Sequence, residues 1–219
     1  MPPRISFSKE EIIQAAIDVV RADGPNSASA RSIAKRMGGS TQPIYRAFET
    51  IEDLGRELVA AAEEIAIRHM LEYQYGEWHF LSMGLGFLEF AIREPELYRL
   101  LYLSGKNKFQ FQHDRPPYDR LFEKMKRDAA LAELDDAARV RLFRDMAIYS
   151  HGLCGAALMR PGGFTVEEYR PLLMEMGMRL IVFEVLRRRG TLTDAAIRTC
   201  LHETAHPIAR EILSPSATS

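Results

Sequence analysis

Two cysteines, Cys154 and Cys200, are all that the 219 residues contain, too few and too far apart for a disulfide framework or a cysteine-rich zinc site. A reducing cytoplasm is the expected setting. No apolar run approaches the roughly 18–20 residues that a membrane span requires. The opening MPPRISFSKEE carries no apolar stretch of signal-peptide type, so no export signal is expected. Net charge is −1, which argues against a surface coated all over by nucleic acid but leaves room for a local basic patch. Strand-like alternation, internal repeats, a glycine-rich phosphate loop, a nucleophile elbow and an assemblable catalytic triad are all lacking. The expectation is therefore a non-enzyme without cofactor.

What is present is helix. With 47% hydrophobic and 27% charged residues the chain has ample material for a core, and apolar residues recur at helical spacing between breaks of Gly, Pro, Ser or Asn. Ser8, with Glu11 three residues on, predicts a capping box opening a first helix. Its face is Ile12, Ile13, Ala16, Val19 and Val20, and Gly24-Pro25 ends it. Two short helices follow, at about 29–37 and 40–48, with Gly38-Gly39 between them. Longer helices are expected at about 51–72, 78–93, 95–104, 118–131, 135–159, 166–189 and 193–213, with a loop at 106–115. The predicted fold class is all-α: a small three-helix head over residues 1–54, a helical bundle over 55–213, and a frayed tail at 214–219.

The segment Pro25–Phe48 carries Arg31, Lys35, Arg36 and Arg46 and no acidic residue, while the flanking helices carry many. A short helix, a glycine turn and a second short helix make a helix-turn-helix. Ser29 and Ser40 are placed as N-caps, and Gly38 can take positive φ without steric cost. If Ile33, Ala34, Ile44 and Phe48 pack against the first helix, then Ser40, Thr41, Gln42, Pro43, Tyr45 and Arg46 face outward. Short polar side chains there can reach base edges, and Tyr45 or Ser40 can instead donate to phosphates. A short polar surface helix in an ordinary bundle fits the same pattern.

The string RSIAKRMGGSTQPIYRAFETIEDL, from Arg31 to Leu54, resembles the DNA-binding signature of TetR-type (tetracycline-repressor-like) transcriptional regulators. The resemblance covers residues 8–60 and rests on Ile33-Ala34, Gly38-Gly39-Ser40 and Tyr45-Arg46-Ala47-Phe48. It implies a DNA site formed by Ser29, Arg31, Ser40, Thr41, Gln42, Pro43, Tyr45 and Arg46. Three departures accompany it: Gly39 in the turn, expected to loosen it, Ala47 in place of a His or Tyr, and Ile51 in place of a lysine. Fewer phosphate contacts imply weaker, less salt-sensitive binding.

The resemblance further implies a homodimer whose larger part holds a small apolar or amphipathic effector, and a repressor released from a palindromic double-stranded operator. For the pocket the candidates are Trp78, Phe87, Tyr98, Tyr102, Phe122, Met125, Met146 and Tyr149, since ligand sites are mostly apolar. For the dimer face they are Gly152, Gly155 and Ala156, with Tyr169, Leu173, Met176, Leu180 and Phe183. Intrachain core is the other reading of both sets.

His202-Glu203-Thr204-Ala205-His206 matches the H-E-x-x-H zinc motif letter for letter. Only thirteen residues follow it, the extended form with a third His is absent, and Pro207 would bend the helix. No metal is expected there. A helical zinc hydrolase using His202, Glu203 and His206 is kept as a rival, as is a ligand-binding scaffold without DNA affinity.

Overall fold

A computed structural model of the chain describes residues 7–105, 116–160, 165–197 and 199. These residues are all-α, with no strand among them. The order is α1 (Lys9–Asp23), α2 (Ala30–Arg36), α3 (Gln42–Ala47), α4 (Ile51–Glu72), α5 (His79–Arg93) and α6 (Pro95–Tyr98). A π-helical turn, Arg99–Leu103, continues α6; then come α7 (Pro116–Met125), α8 (Ala129–Ala132), α9 (Asp136–Met159) and α10 (Val166–Arg188). No described helix is long and apolar enough to cross a membrane.

Local chemistry sets the first helices. Ser8 Oγ accepts from the Glu11 amide at 3.1 Å while the Ser8 amide donates to Glu11 Oε2 at 2.7 Å, closing the expected capping box. Ser29 caps α2 in the same way through Ser32. After α2 the chain turns at Gly38, whose φ is 71°. The Gly39 amide donates to the Ala34 carbonyl at 2.9 Å and the Gly38 amide to Lys35 at 3.1 Å, which makes a Schellman closure. The turn is thus tied by two hydrogen bonds, tighter than a second glycine suggested.

Helix α3 begins at Gln42, two residues later than expected, and Ser40 does not cap it. Thr41 holds the cap position with helical backbone angles and no side-chain hydrogen bond. A capping side chain needs extended backbone to turn back onto the first amides, and Thr41 lacks it.

One buried cluster unites Ile12, Ala16, Val20, Ile33, Ile44 and Phe48 with Leu54 and Leu58 of α4, then continues into Phe90, Leu97 and Tyr98. A second gathers Leu81, Leu85, Leu121, Met125, Leu142, Leu173 and Ile181. Helix α5 lies in the middle and is buried almost all round, as a helix apolar on every face must be. It meets its neighbours at glycines. A methyl group on Gly86 would sit 2.8 Å from Met70 Cα and closer still to the His69 carbonyl of α4. Gly84 receives Leu173 of α10, and Gly177 of α10 receives Leu81. This crossing draws Leu173 and Tyr169 into the chain's own core, although the sequence pattern put them on an intersubunit face.

The helix expected over 118–131 is broken. Between α7 and α8 the Asp128 carboxylate accepts from the His79 and Phe80 amides at 2.9 and 2.7 Å, capping α5 from a distance. Lys124, only 3% exposed, donates its ammonium to the Met70, Leu71 and Tyr73 carbonyls at 3.0, 2.7 and 2.9 Å. It thereby satisfies the carbonyls that the end of α4 leaves without helical partners.

The glycine contacts make a paired expectation. Gly86→Ala forces α4 and α5 apart and costs about 1–3 kcal/mol. Gly55→Ala, also in a helix but with open space at its would-be methyl, stabilises by about 0.5–1 kcal/mol. Thermal denaturation of both variants checks the opposite signs.

Candidate nucleic-acid interface and effector cavity

At one end of the molecule α3 stands on α1 and α4 through Ile44 and Phe48, both buried. Phe48 is further held by Lys9, whose ammonium lies 5.2 Å from the ring centroid and pairs with Glu57 of α4 at 2.6 Å. With those two side chains inward, the opposite side of α3 is turned to solvent. Ser40, Gln42, Tyr45 and Arg46 are exposed, Tyr45 at 61%, and Thr41 and Pro43 are half-buried. Neither Ser40 nor Thr41 spends its hydroxyl on capping α3. Among the described residues the side chains of Ser40, Thr41 and Gln42 make no intrachain hydrogen bond.

Arg31 lies exposed on α2, and neither it, Lys35 nor Arg46 has an acidic partner among the described residues, whereas Arg36 pairs with Asp18 at 3.7 Å. The Ser29 hydroxyl is occupied by the cap of α2. The acid-free segment thus becomes a surface with uncompensated positive charge next to short polar side chains. Ile51 is exposed at the start of α4, and Ala47 is half-buried.

At the other end a cavity of about 60 Å³ lies between α4, α5, the π-helical turn, α7 and α9. Phe87, Tyr102 and Met146, three of the pocket candidates, line it. Met70, Phe80, Met83, Gly84, Tyr118, Phe143, Ala147, Ser150 and His151 complete the wall and were not foreseen. Of the other candidates, Trp78 stands 41% exposed at the start of α5, Met125 is wholly inside the second cluster, and Phe122 packs on Phe143 with ring centroids 5.2 Å apart. Tyr149 packs at the edge of the second cluster. Tyr98 sits behind the cavity, its hydroxyl sharing a hydrogen bond with His151 Nδ1 at 2.9 Å.

His151 is enclosed by rings. Phe87 and Tyr102 meet it edge-on, with centroids at 4.8 and 4.6 Å. Burial pushes its pKa down to about 4, so the imidazole is neutral at pH 7. The same burial raises the Tyr98 and Tyr102 hydroxyls well above the ordinary phenol range. Only a histidine in a helical stripe was visible in the sequence, a signal that does not separate core from cavity.

The candidate dimer face is split. Gly152 and Ala156 are exposed and Gly155 half-buried on α9; Phe183 is exposed on α10, with Met176 and Leu180 half-buried. Ile148, Met159, Leu172 and Val182 are exposed on the same two helices. The motif at 202–206 lies outside the described residues, and no cluster of three or more metal-ligating side chains occurs among those described.

This fold, with the short α2 and α3 following α1 and a long α4 leading into the cavity helices, has a counterpart among solved structures. A TetR transcriptional regulator from Rhodococcus sp. RHA1 superposes with a TM-score of 0.52 over 79% of this chain and 96% of that one, at 18% identity. The fold is that of a TetR-type regulator. A curated Bacillus subtilis (strain 168) protein, the uncharacterized HTH-type transcriptional regulator YobS, is 23% identical over 111 residues, or 49% of this chain. The match spans 58% of that relative, less than two thirds of its length. No family model matches the chain.

Within the TetR-type fold the half-buried, ring-enclosed His151 has a measurable signature. The unfolded chain binds this proton near pH 6.5, the folded chain only near pH 4. Its contribution to stability is complete above the upper value and is lost as pH falls through that window, by about 3 kcal/mol in all. Urea denaturation at stepped pH should show a shallower acid loss in His151→Phe than in wild type; parallel curves would mean that His151 titrates normally.

Proposed function

We propose that this chain is a ligand-responsive, DNA-binding transcriptional regulator of the TetR type, acting in the cytoplasm as a homodimer and as a repressor. The observation that carries the reading is the outward N-terminal turn of α3. Among the described residues the side chains of Ser40, Thr41 and Gln42 make no hydrogen bond, and Arg31, Lys35 and Arg46 have no acidic partner. The Rhodococcus and Bacillus proteins, named as a TetR and an HTH-type transcriptional regulator, support it.

In this reading Thr41 and Gln42 address base edges in the major groove, while Arg31, Tyr45 and Arg46 bind the flanking phosphates. Residues 1–54 form the reading head and 55–213 the sensing and dimerising body. The apolar stripes of α9 and α10, centred on Ile148, Met159, Leu172, Val182 and Phe183, pair with a second copy as a four-helix bundle. Two heads then meet successive major grooves of a palindromic operator. An effector in the cavity favours a different head separation, a coupling of about 1–3 kcal/mol.

Selection of bound duplexes from a random pool tests the reading directly, and a palindromic consensus is the expected result. On that consensus Gln42→Ala should weaken specific binding more than binding to random duplex. Arg46→Ala should lower the slope of log affinity against log salt by about one. Recovery of no sequence preference, with equal losses on both duplexes, would remove DNA reading from the molecule.

A further inference from the structure

Resting on the regulator reading for its consequence but not for its geometry, we propose that Arg21 and Glu94 are specificity-determining residues. Their ion pair fixes the orientation of the α1–α3 head on the body, and so sets the half-site spacing that two heads can read together. Arg21, in the last turn of α1, donates from Nε and Nη2 to the two carboxylate oxygens of Glu94 at 2.8 and 2.7 Å. A guanidinium fork on a carboxylate holds two parallel hydrogen bonds, so it resists rotation as well as separation. Glu94 stands at the corner between α5 and α6 and is itself held there. Its amide donates to the Phe90 carbonyl at 2.8 Å, and its carbonyl accepts from the Tyr98 amide at 2.9 Å.

The line of charge continues into the helix-turn-helix. Asp18, one turn before Arg21 on α1, lies 3.6 Å from Arg21 Nη1 and 3.7 Å from Nη2 of Arg36, in the last turn of α2. Gln14 donates to the same carboxylate at 3.0 Å and steadies it. Arg36, Asp18, Arg21 and Glu94 thus run from α2 across α1 to the body.

Apolar packing alone does not set this orientation. Val20 of α1 and Leu97 of α6 share one cluster, but apolar contact has no preferred direction and lets packed helices slide. The Lys9–Glu57 pair ends on the second turn of α4, beside Phe48, and does not reach the α5–α6 corner. Orientation matters because of the shape of the duplex. One base pair more between half-sites carries the second site about 3.4 Å along the axis and about 35° around it. A head held by a fork cannot follow that turn; a head held by apolar contact can.

Two measurements on the full chain test the proposal. The first needs no DNA: spin labels at Glu49→Cys in the head and Glu123→Cys on α7, both exposed positions, with Cys200 changed to serine and the labelled chain diluted in unlabelled chain. Wild type should give a narrow distance distribution, and Arg21→Met a broad one. Arg21→Lys keeps the charge but loses the fork; it should broaden the distribution too, and it keeps the test available if Arg21→Met fails to fold. The second measures affinity for the selected palindrome and for versions with one base pair added or removed at its centre. Wild type should lose about a hundredfold on the altered spacings, and the variants about fivefold or less, with similar affinity for a single half-site. An unchanged distance distribution would overturn the proposal. So would variants that bind all three spacings more weakly by the same factor, the mark of a head merely destabilised. Broadened distances in a protein that selects no palindrome would sink the regulator reading and leave the fixed head standing.

Discussion

The α4–α5 contact at Gly86 is the constraint on which the other arrangements rest. There a backbone meets a backbone, with no side chain between them to absorb displacement. Helix α4 is 22 residues long and spans about 33 Å at 1.5 Å per residue. Its first turns hold Leu54 and Leu58 in the same cluster as α1 and α3, and its last turn puts Met70 in the cavity wall. A rigid rod pinned near its cavity end joins the polar surface of α3 to the enclosed space behind α5.

Charged side chains reinforce the rod where helix ends would otherwise leave polar groups unpaired. Lys124 caps the carbonyls of α4 and comes from α7, which also supplies Tyr118 to the cavity. Arg21 of α1 makes a two-pronged pair with Glu94, its Nε and Nη2 donating at 2.8 and 2.7 Å, and Glu94 directly precedes the helix that carries Tyr98 and Tyr102. The guanidinium fork fixes direction as well as distance. Two routes therefore lead from the cavity wall to α1 and α3, one through packed apolar surface and one through an ion pair. An exposed pair of this kind adds little to stability, and its contribution here is geometric.

The cavity shows how burial alone can choose a chemistry. Desolvation holds the His151 imidazole neutral near pH 7 and pushes the Tyr98 and Tyr102 hydroxyls further from ionising. Among its described lining residues the site thus has polar groups but no charged side chain. That combination follows from the helices that surround it, not from the residue types considered singly.

Much of the fold was legible along the chain because the signals act within a few residues of each other. Ser8 with Glu11, Ser29 with Ser32, and Gly38 after α2 each close a hydrogen-bonded turn whose partners are at most five positions apart. The stripe Ile12, Ala16 and Val19 needed only the helical repeat. Misreadings arose where that local logic met a partner from elsewhere: Asp128 breaks the expected 118–131 helix to cap α5, and Leu173 turns inward because Gly84 makes room for it.

By itself the sequence determined most of the helices, the exposed polar residues around the start of α3 and the basic, acid-free segment, since short-range hydrogen bonds and periodicity dictate these. Only the tertiary structure decided which apolar residues enclose a cavity and which fill the core. Met70, Phe87, Tyr118 and His151 come from four elements spread over eighty residues, and what brings them together is the close approach of α5 to its neighbours, which periodicity along one helix does not encode.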